Sequence, residues 1–271
     1  MSSKDDDMTR GFVNVDEMSD PRWFIEFLDK RKTIEGEREV KNLTLSLLDL
    51  KPGLEVLDVG CGTGDDAREI ASLVGSTGRV AGIDPSSLMI AESRKRAESS
   101  GLPVEFMIGD VRRLNFPDGS FDRVRTDRVL IFVPDIEVAI AEIIRILRPG
   151  GRVVASELDH ELLFLDSRFL ELNRRVLAAF TRSNPQPCLG RQLHRLFAEH
   201  GLRNIKSVPR VIRPPYDFVR LAFGGLLREA IKRDEFVETE IKAWLDDLKT
   251  LQEAGLFNAG TIAFTASGDK S

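Results

Sequence analysis

A chain of 271 residues, 42% hydrophobic, is long enough for one large core, or a core with a smaller cap, and too short for two large independent domains. A net charge of −5, with 31% charged residues mixed in sign, argues against a general nucleic-acid binder, and no apolar run is long enough to span a membrane. The opening MSSKDDDMTR is acidic where a signal peptide is basic. Cys61, Cys188 and three scattered histidines give neither a disulfide framework nor metal-ligand spacing, so the expectation is a cytoplasmic protein without metal.

Residues 1–10 and 268–271 read as frayed ends. From 20 to 50 the pattern is helical: Trp23, Phe24, Phe27 and Leu28 share one face, and Val40, Leu43, Leu47 and Leu48 continue in a second helix that Pro52-Gly53 ends. Short apolar runs at 54–59, 80–83, 104–108, 121–125 and 152–156 then alternate with helical patterns at 67–74, 88–97 and 136–147. That rhythm predicts βαβ crossovers and a parallel sheet buried on both faces. Beyond 157 it changes, with helices expected at 161–181 and 189–199, a strand near 203–212, a helical region over 216–254 and a last strand at 261–266. The expected organisation is an N-terminal helical cap (1–50), a ligand-binding core (51–158), a cap insertion (159–183), a core helix and strand (184–214), a second cap insertion (215–254), and the last strand with its tail (255–271). Material inserted after strand ends lies over the ligand crevice of a doubly wound sheet, which puts the cap on the substrate side.

The most informative stretch is EVLDVGCGTGDDAREI, residues 55–70, where a hydrophobic strand runs into Gly60-Cys61-Gly62-Thr63-Gly64 and a helix follows at once. Glycines suit a tight turn that lets a ligand approach where a Cβ would clash. Twenty positions further on, Asp84 ends the second strand in GIDPS, where a carboxylate can accept from both hydroxyls of a ribose. Asp110 ends the next strand, placed to accept from an exocyclic amine. Gly62 to Ala67 formally fits the G-x-G-x-x-A fingerprint of nicotinamide cofactors. Counted from Gly60, however, the position five residues on is Asp65, and the pair Asp65 and Asp66 would repel a pyrophosphate.

LDVGCGTG, GIDPS, Gly109-Asp110, PDGSFD at 117–122 and LRPGG at 147–151 together resemble the successive motifs of class I S-adenosylmethionine (SAM)-dependent methyltransferases, closest to the ubiquinone/menaquinone-biosynthesis-like small-molecule group. The resemblance spans about 50 to 157. It implies a doubly wound α/β fold with a seven-stranded, mostly parallel sheet, its last strand antiparallel, and SAM as cofactor. It implies the methionine moiety against Gly60, Cys61 and Gly62, the ribose on Asp84, adenine near Met89, and its amine near Asp110 and Val111. Thr126 and Arg31 fall at positions that meet the amino-acid end, and Asp58 and Pro85 complete the implied cofactor set.

On the substrate side, Glu157, Asp159 and His160 follow the fifth strand. His160 beside two carboxylates reads either as a general base of raised pKa or as part of a solvated polar turn. Arg213-Pro214-Pro215-Tyr216 looks like the loop of amino-group nucleic-acid methyltransferases but stands in the wrong place for it. The aromatic cap suits a small, largely apolar acceptor, with a homodimer left open. Methyl transfer to such a molecule is the leading reading. A cyclisation or rearrangement on a SAM-binding scaffold is the alternative, and a protein or RNA target the third.

Overall fold

Seven strands form one sheet among residues 11–271, which the computed structural model describes; the expected fraying at 1–10 lies outside them. They are β1 (Glu55–Val59), β2 (Arg79–Asp84), β3 (Val104–Ile108), β4 (Phe121–Asp127), β5 (Leu147–Leu165), β6 (Arg203–Ile212) and β7 (Ala259–Asp269), in the order β3-β2-β1-β4-β5-β7-β6. The first five pair in parallel, and β7 runs antiparallel between β5 and β6. The strand order reverses at β1, so the crevice beyond the carboxyl ends of β1, β2 and β4 is where such a fold binds its ligand.

Helices cover both faces. On one, α2 (Glu35–Leu48), α3 (Asp65–Val74) and α4 (Ser87–Ala97) bury Leu48, Ile70 and Ile90 against Val56 and Val80. On the other, α5 (Ile136–Ile146) and α7 (Leu189–Glu199) bury Ile140, Ile143 and Leu193 against Leu57, Val124 and Val153. α1 (Arg22–Arg31), α6 (Leu170–Arg182), α8 (Tyr216–Lys232) and α9 (Glu238–Glu253) form the cap. Their shared core joins Phe24, Phe27, Phe180, Phe223 and Trp244, and takes in Met89, Leu165 and Ala259 from the sheet domain.

Three expectations are corrected. The second N-terminal helix is not part of the cap: Val40 packs on Ile212 and Ala263, so α2 belongs to the sheet. The helix expected from 161 starts only at Leu170. Before it, β5 continues to Leu165 because Phe164 and Leu165 pair with Gly260 and Ala259, and the run Leu162 to Leu165 meets the pairing needs of a strand. The helical region expected over 216–254 is present, as α8 and α9. The tail at 268–270 is tied down rather than frayed. Gly268 and Asp269 lie in β7, and Lys270 Nζ donates to the carbonyls of Ile144, Arg145 and Leu147.

Candidate functional site

At the end of β1 the backbone turns through Gly60, Gly62 and Gly64, all with positive φ (66°, 52° and 72°). The three glycines serve different ends. A Cβ on Gly60 would stand 2.1 Å from Val129 Cγ2, and one on Gly64 2.6 Å from Phe106 Cζ, so both are required by packing. A Cβ on Gly62 would meet only Leu28 Cδ1 of α1, at 3.0 Å, and otherwise project into open space. That space belongs to a cavity of about 680 Å³, within the roughly 300–1,000 Å³ usual for small-molecule sites.

Of the residues expected around the cofactor, Arg31, Gly60, Cys61, Gly62, Asp84, Pro85, Met89, Asp110 and Val111 all line this cavity. Asp84 accepts from the Gly62 N–H with Oδ2 and from the Ser86 N–H with Oδ1, both at 3.0 Å. Each oxygen keeps one lone pair, as two ribose hydroxyls require. Burial lifts its carboxyl to about 6. Asp110 is half-exposed and bonded to its neighbour: Arg112 donates to Oδ1 and Oδ2 from its side chain and holds the carboxyl below the usual range.

Asp58 and Thr126 do not line the cavity. Asp58 faces the interior, where its Oδ1 accepts from Arg125 Nη1 at 2.9 Å; burial, only partly offset by that guanidinium, lifts its carboxyl to about 6. Thr126 is fully buried and paired with Val59 and Ala155, because alternation along β4 sends Arg125 and Asp127 to one face and Thr126 to the other. The wall beside it is made by Asp127 and Arg128.

These two residues, with Arg125, are the part of the site that the sequence reading missed. Arg125 donates to Asp58, to Asp66 at 2.6 Å and to Asp127 at 3.1 Å. Arg31 donates to the same Asp127 oxygen at 3.0 Å, and Arg128, in the left-handed region at φ 60°, makes a two-pronged contact with Glu37 at 3.1 and 2.9 Å. Lys41 reaches Asp66 at 2.7 Å. Against the cost of burial, Arg125 and Lys41 hold Asp66 below the usual carboxylate range. Arg96, Lys32 and Arg68 pair with Asp65. The two carboxylates that argue against a pyrophosphate are thus built into the fold, at a helix start that a phosphate would otherwise favour. One signal was available: RVRTD in a strand between two parallel neighbours, where apolar residues are the rule.

His160 does line the cavity, and it is neither a raised-pKa base nor a solvated turn residue. Between Asp159 and Phe164 four residues of β5 stand opposite Thr261 alone, and this bulge carries His160 to the cavity wall. The imidazole is buried against Phe180, its Nδ1 has no partner, and burial reinforced by the Arg128 guanidinium pushes it down to about 3. The carboxylates expected beside it are committed elsewhere. Asp159 pairs with Arg191, and Glu157 accepts from the N–H groups of Val129 and Leu130. Burial pushes Glu157 up to about 8. Phe180, which meets His160, stacks on Phe223, and Phe27, Phe132 and Phe218 also line the cavity.

A glycine cradle, a strand-end acid after β2 and an acid-lined helix start suit a nucleoside that carries no phosphate. Residues 56–151 match the methyltransferase domain family. A demethylmenaquinone methyltransferase of Bacillus licheniformis is 31% identical over 184 residues, covering 62% of this chain and 79% of that protein. An uncharacterized 37.1 kDa transposon protein of Streptomyces fradiae is 41% identical over 194 residues, 69% of this chain and 53% of that one. The chain spans about half the length of several curated relatives it matches. Among solved structures, the [4+2]-cyclase SpnF shares the fold with a TM-score of 0.54 at 21% identity, over 86% of this chain and 81% of its own. The chain belongs to the class I SAM-dependent methyltransferases.

Proposed function

We propose that the protein transfers a methyl group from SAM to a small, largely apolar organic acceptor. The observation that carries this reading is that the glycine turn, Asp84, His160 and a set of phenylalanines line one continuous cavity. When bound, SAM supplies an electrophilic sulfonium methyl. The chain's own residues bind and orient: Gly60, Cys61 and Gly62 receive the amino-acid portion together with Arg31. Asp84, backed by Pro85, takes the ribose hydroxyls, and Met89, Val111 and Asp110 take the adenine.

The aromatic wall excludes water and sets the acceptor's approach, which is most of what a methyl transfer asks of a protein. His160, neutral at physiological pH, hydrogen-bonds a polar atom of the acceptor. Its replacement by alanine is expected to lower kcat/KM roughly tenfold, the size of one hydrogen bond, rather than the 10²–10⁴ typical of a general base. A limb near pH 6–7 in the wild-type rate profile, absent from His160→Ala, would restore the base.

Likeness to a cyclase of the same fold supports a second reading, in which SAM is held structurally while the acceptor rearranges. Incubation with SAM and a panel of hydroxylated apolar aromatics separates the two. Release of S-adenosylhomocysteine matched to a product heavier by one methyl supports transfer. Consumption of a substrate into an isomer of unchanged mass, with no S-adenosylhomocysteine, supports rearrangement.

A further inference from the structure

Residues 12–18 hold one regular element, a 3-10 turn (Val15–Glu17), yet the segment is anchored on both sides of the cavity mouth. On one side the Asp16 carboxylate accepts from Ser86 Oγ at 2.5 Å, from the N–H and hydroxyl of Ser87 at 2.7 Å each, and from the Leu88 N–H at 3.3 Å. Those donors are the cap and first turn of α4, directly after Asp84. On the other side the Phe12 ring stacks on Phe132 at 5.6 Å, and it meets Phe24 and Phe27 edge-on at 5.0 and 5.7 Å. Phe132 stands in the turn that follows β4.

Because β1 lies between β2 and β4, a segment fastened beyond β2 and beyond β4 crosses the carboxyl end of β1, where the glycine turn stands. Phe12, Val13 and Val15 accordingly line the cavity. Asp16 is not needed to start α4, since Ser86 already caps that helix by accepting from the Met89 N–H at 3.2 Å. The contact is therefore free to break without unwinding what it touches.

We propose that residues 11–18 are a strap across the cofactor cleft, latched by Asp16 on the first turn of α4, and that cofactor and product leave only when the latch opens. The proposal rests on SAM occupying the cleft between Gly60 and Asp84 and not on the identity of the acceptor. A strap of this kind takes its opening from the low-stability end of the fold, and it sets the exchange rate without touching the reacting atoms.

The test is the rate at which prebound S-adenosylhomocysteine leaves the protein, measured by rapid-mixing competition, together with amide exchange over 11–18. Asp16→Ala removes hydrogen bonds to a charged group and is expected to raise the dissociation rate about ten- to a hundred-fold. Asp16→Asn keeps an acceptor and is expected to fall between that variant and the wild type. Exchange should rise in the strap and at the Ser87 and Leu88 amides that Asp16 held, and stay unchanged in the rest of α4 and in the sheet, with Tm hardly moved. An unchanged dissociation rate in both variants overturns the strap. So does a faster rate accompanied by a general loss of protection and a lowered Tm, which marks Asp16 as merely structural. Failure of the wild type to bind S-adenosylhomocysteine would overturn the cofactor reading and the strap with it, so the two failures are distinguishable.

Discussion

If the ribose sits on Asp84 as proposed, cofactor affinity must depend on pH. Its carboxyl, lifted by burial to about 6 in the cofactor-free protein, must be ionised to accept from two ribose hydroxyls as well as from Gly62 and Ser86, whose N–H groups already use one lone pair of each oxygen. Binding to the ionised form lowers its pKa, so affinity is full above pH 6 and falls as pH drops through it. By linkage the ionised fraction goes from about nine-tenths at pH 7 to about one-tenth at pH 5, a roughly tenfold weakening. Asp84→Asn should bind S-adenosylhomocysteine about 1.5–3 kcal/mol more weakly at pH 7.5, the range for hydrogen bonds to a charged group, and should lose the pH dependence. Titration calorimetry across pH 5–7.5 measures both. Asp58 also sits at about 6 and lies off the cavity wall, so a slope that persists in Asp84→Asn would assign the effect elsewhere. A flat profile in the wild type would refute the ribose assignment.

Gly62→Val places a branched side chain at φ 52° in the open cradle and 3.0 Å from Leu28, so S-adenosylhomocysteine binding should fall below detection by calorimetry while the sheet still folds. Arg125→Met leaves Asp58, Asp66 and Asp127 without their shared partner. Urea unfolding at pH 7 should show a loss of about 3–5 kcal/mol, shrinking toward pH 5 as Asp58 takes up a proton. Glu157 has a folded-state pKa of about 8, above its ordinary 4.5. The stability it contributes is full below 4.5 and lost as pH rises through 8. Glu157→Gln should therefore gain in Tm relative to wild type between pH 5 and pH 9, and a constant Tm difference would show that the carboxyl does not titrate there.

That the glycine turn, Asp84 and Asp110 meet on one cavity was legible because each part is local. The glycine turn, Asp84 and Asp110 each announce themselves at a strand's carboxyl end, and parallel topology alone brings those ends together. The ion cluster was not, since Glu37, Asp66 and Arg125 come from α2, α3 and β4 and acquire meaning only by proximity. Along β5 the reading failed for a different reason. From Leu162 to Leu165 no residue breaks a helix, and only the partner strand, a hundred residues later, decides that the run is extended. The same distance hid the bulge that carries His160 to the cavity.

The position of β7 has a consequence for how the chain is made. It is hydrogen-bonded on both sides, yet it follows every other strand and helix of the sheet in sequence. During synthesis β5 must therefore wait with its outer edge bare, and β6 has no strand to join. A 19-residue strand with an open edge is a template for pairing with other chains. Nascent protein should thus be most prone to aggregate just before β7 emerges, and slow elongation across α8 and α9 would lengthen the exposure.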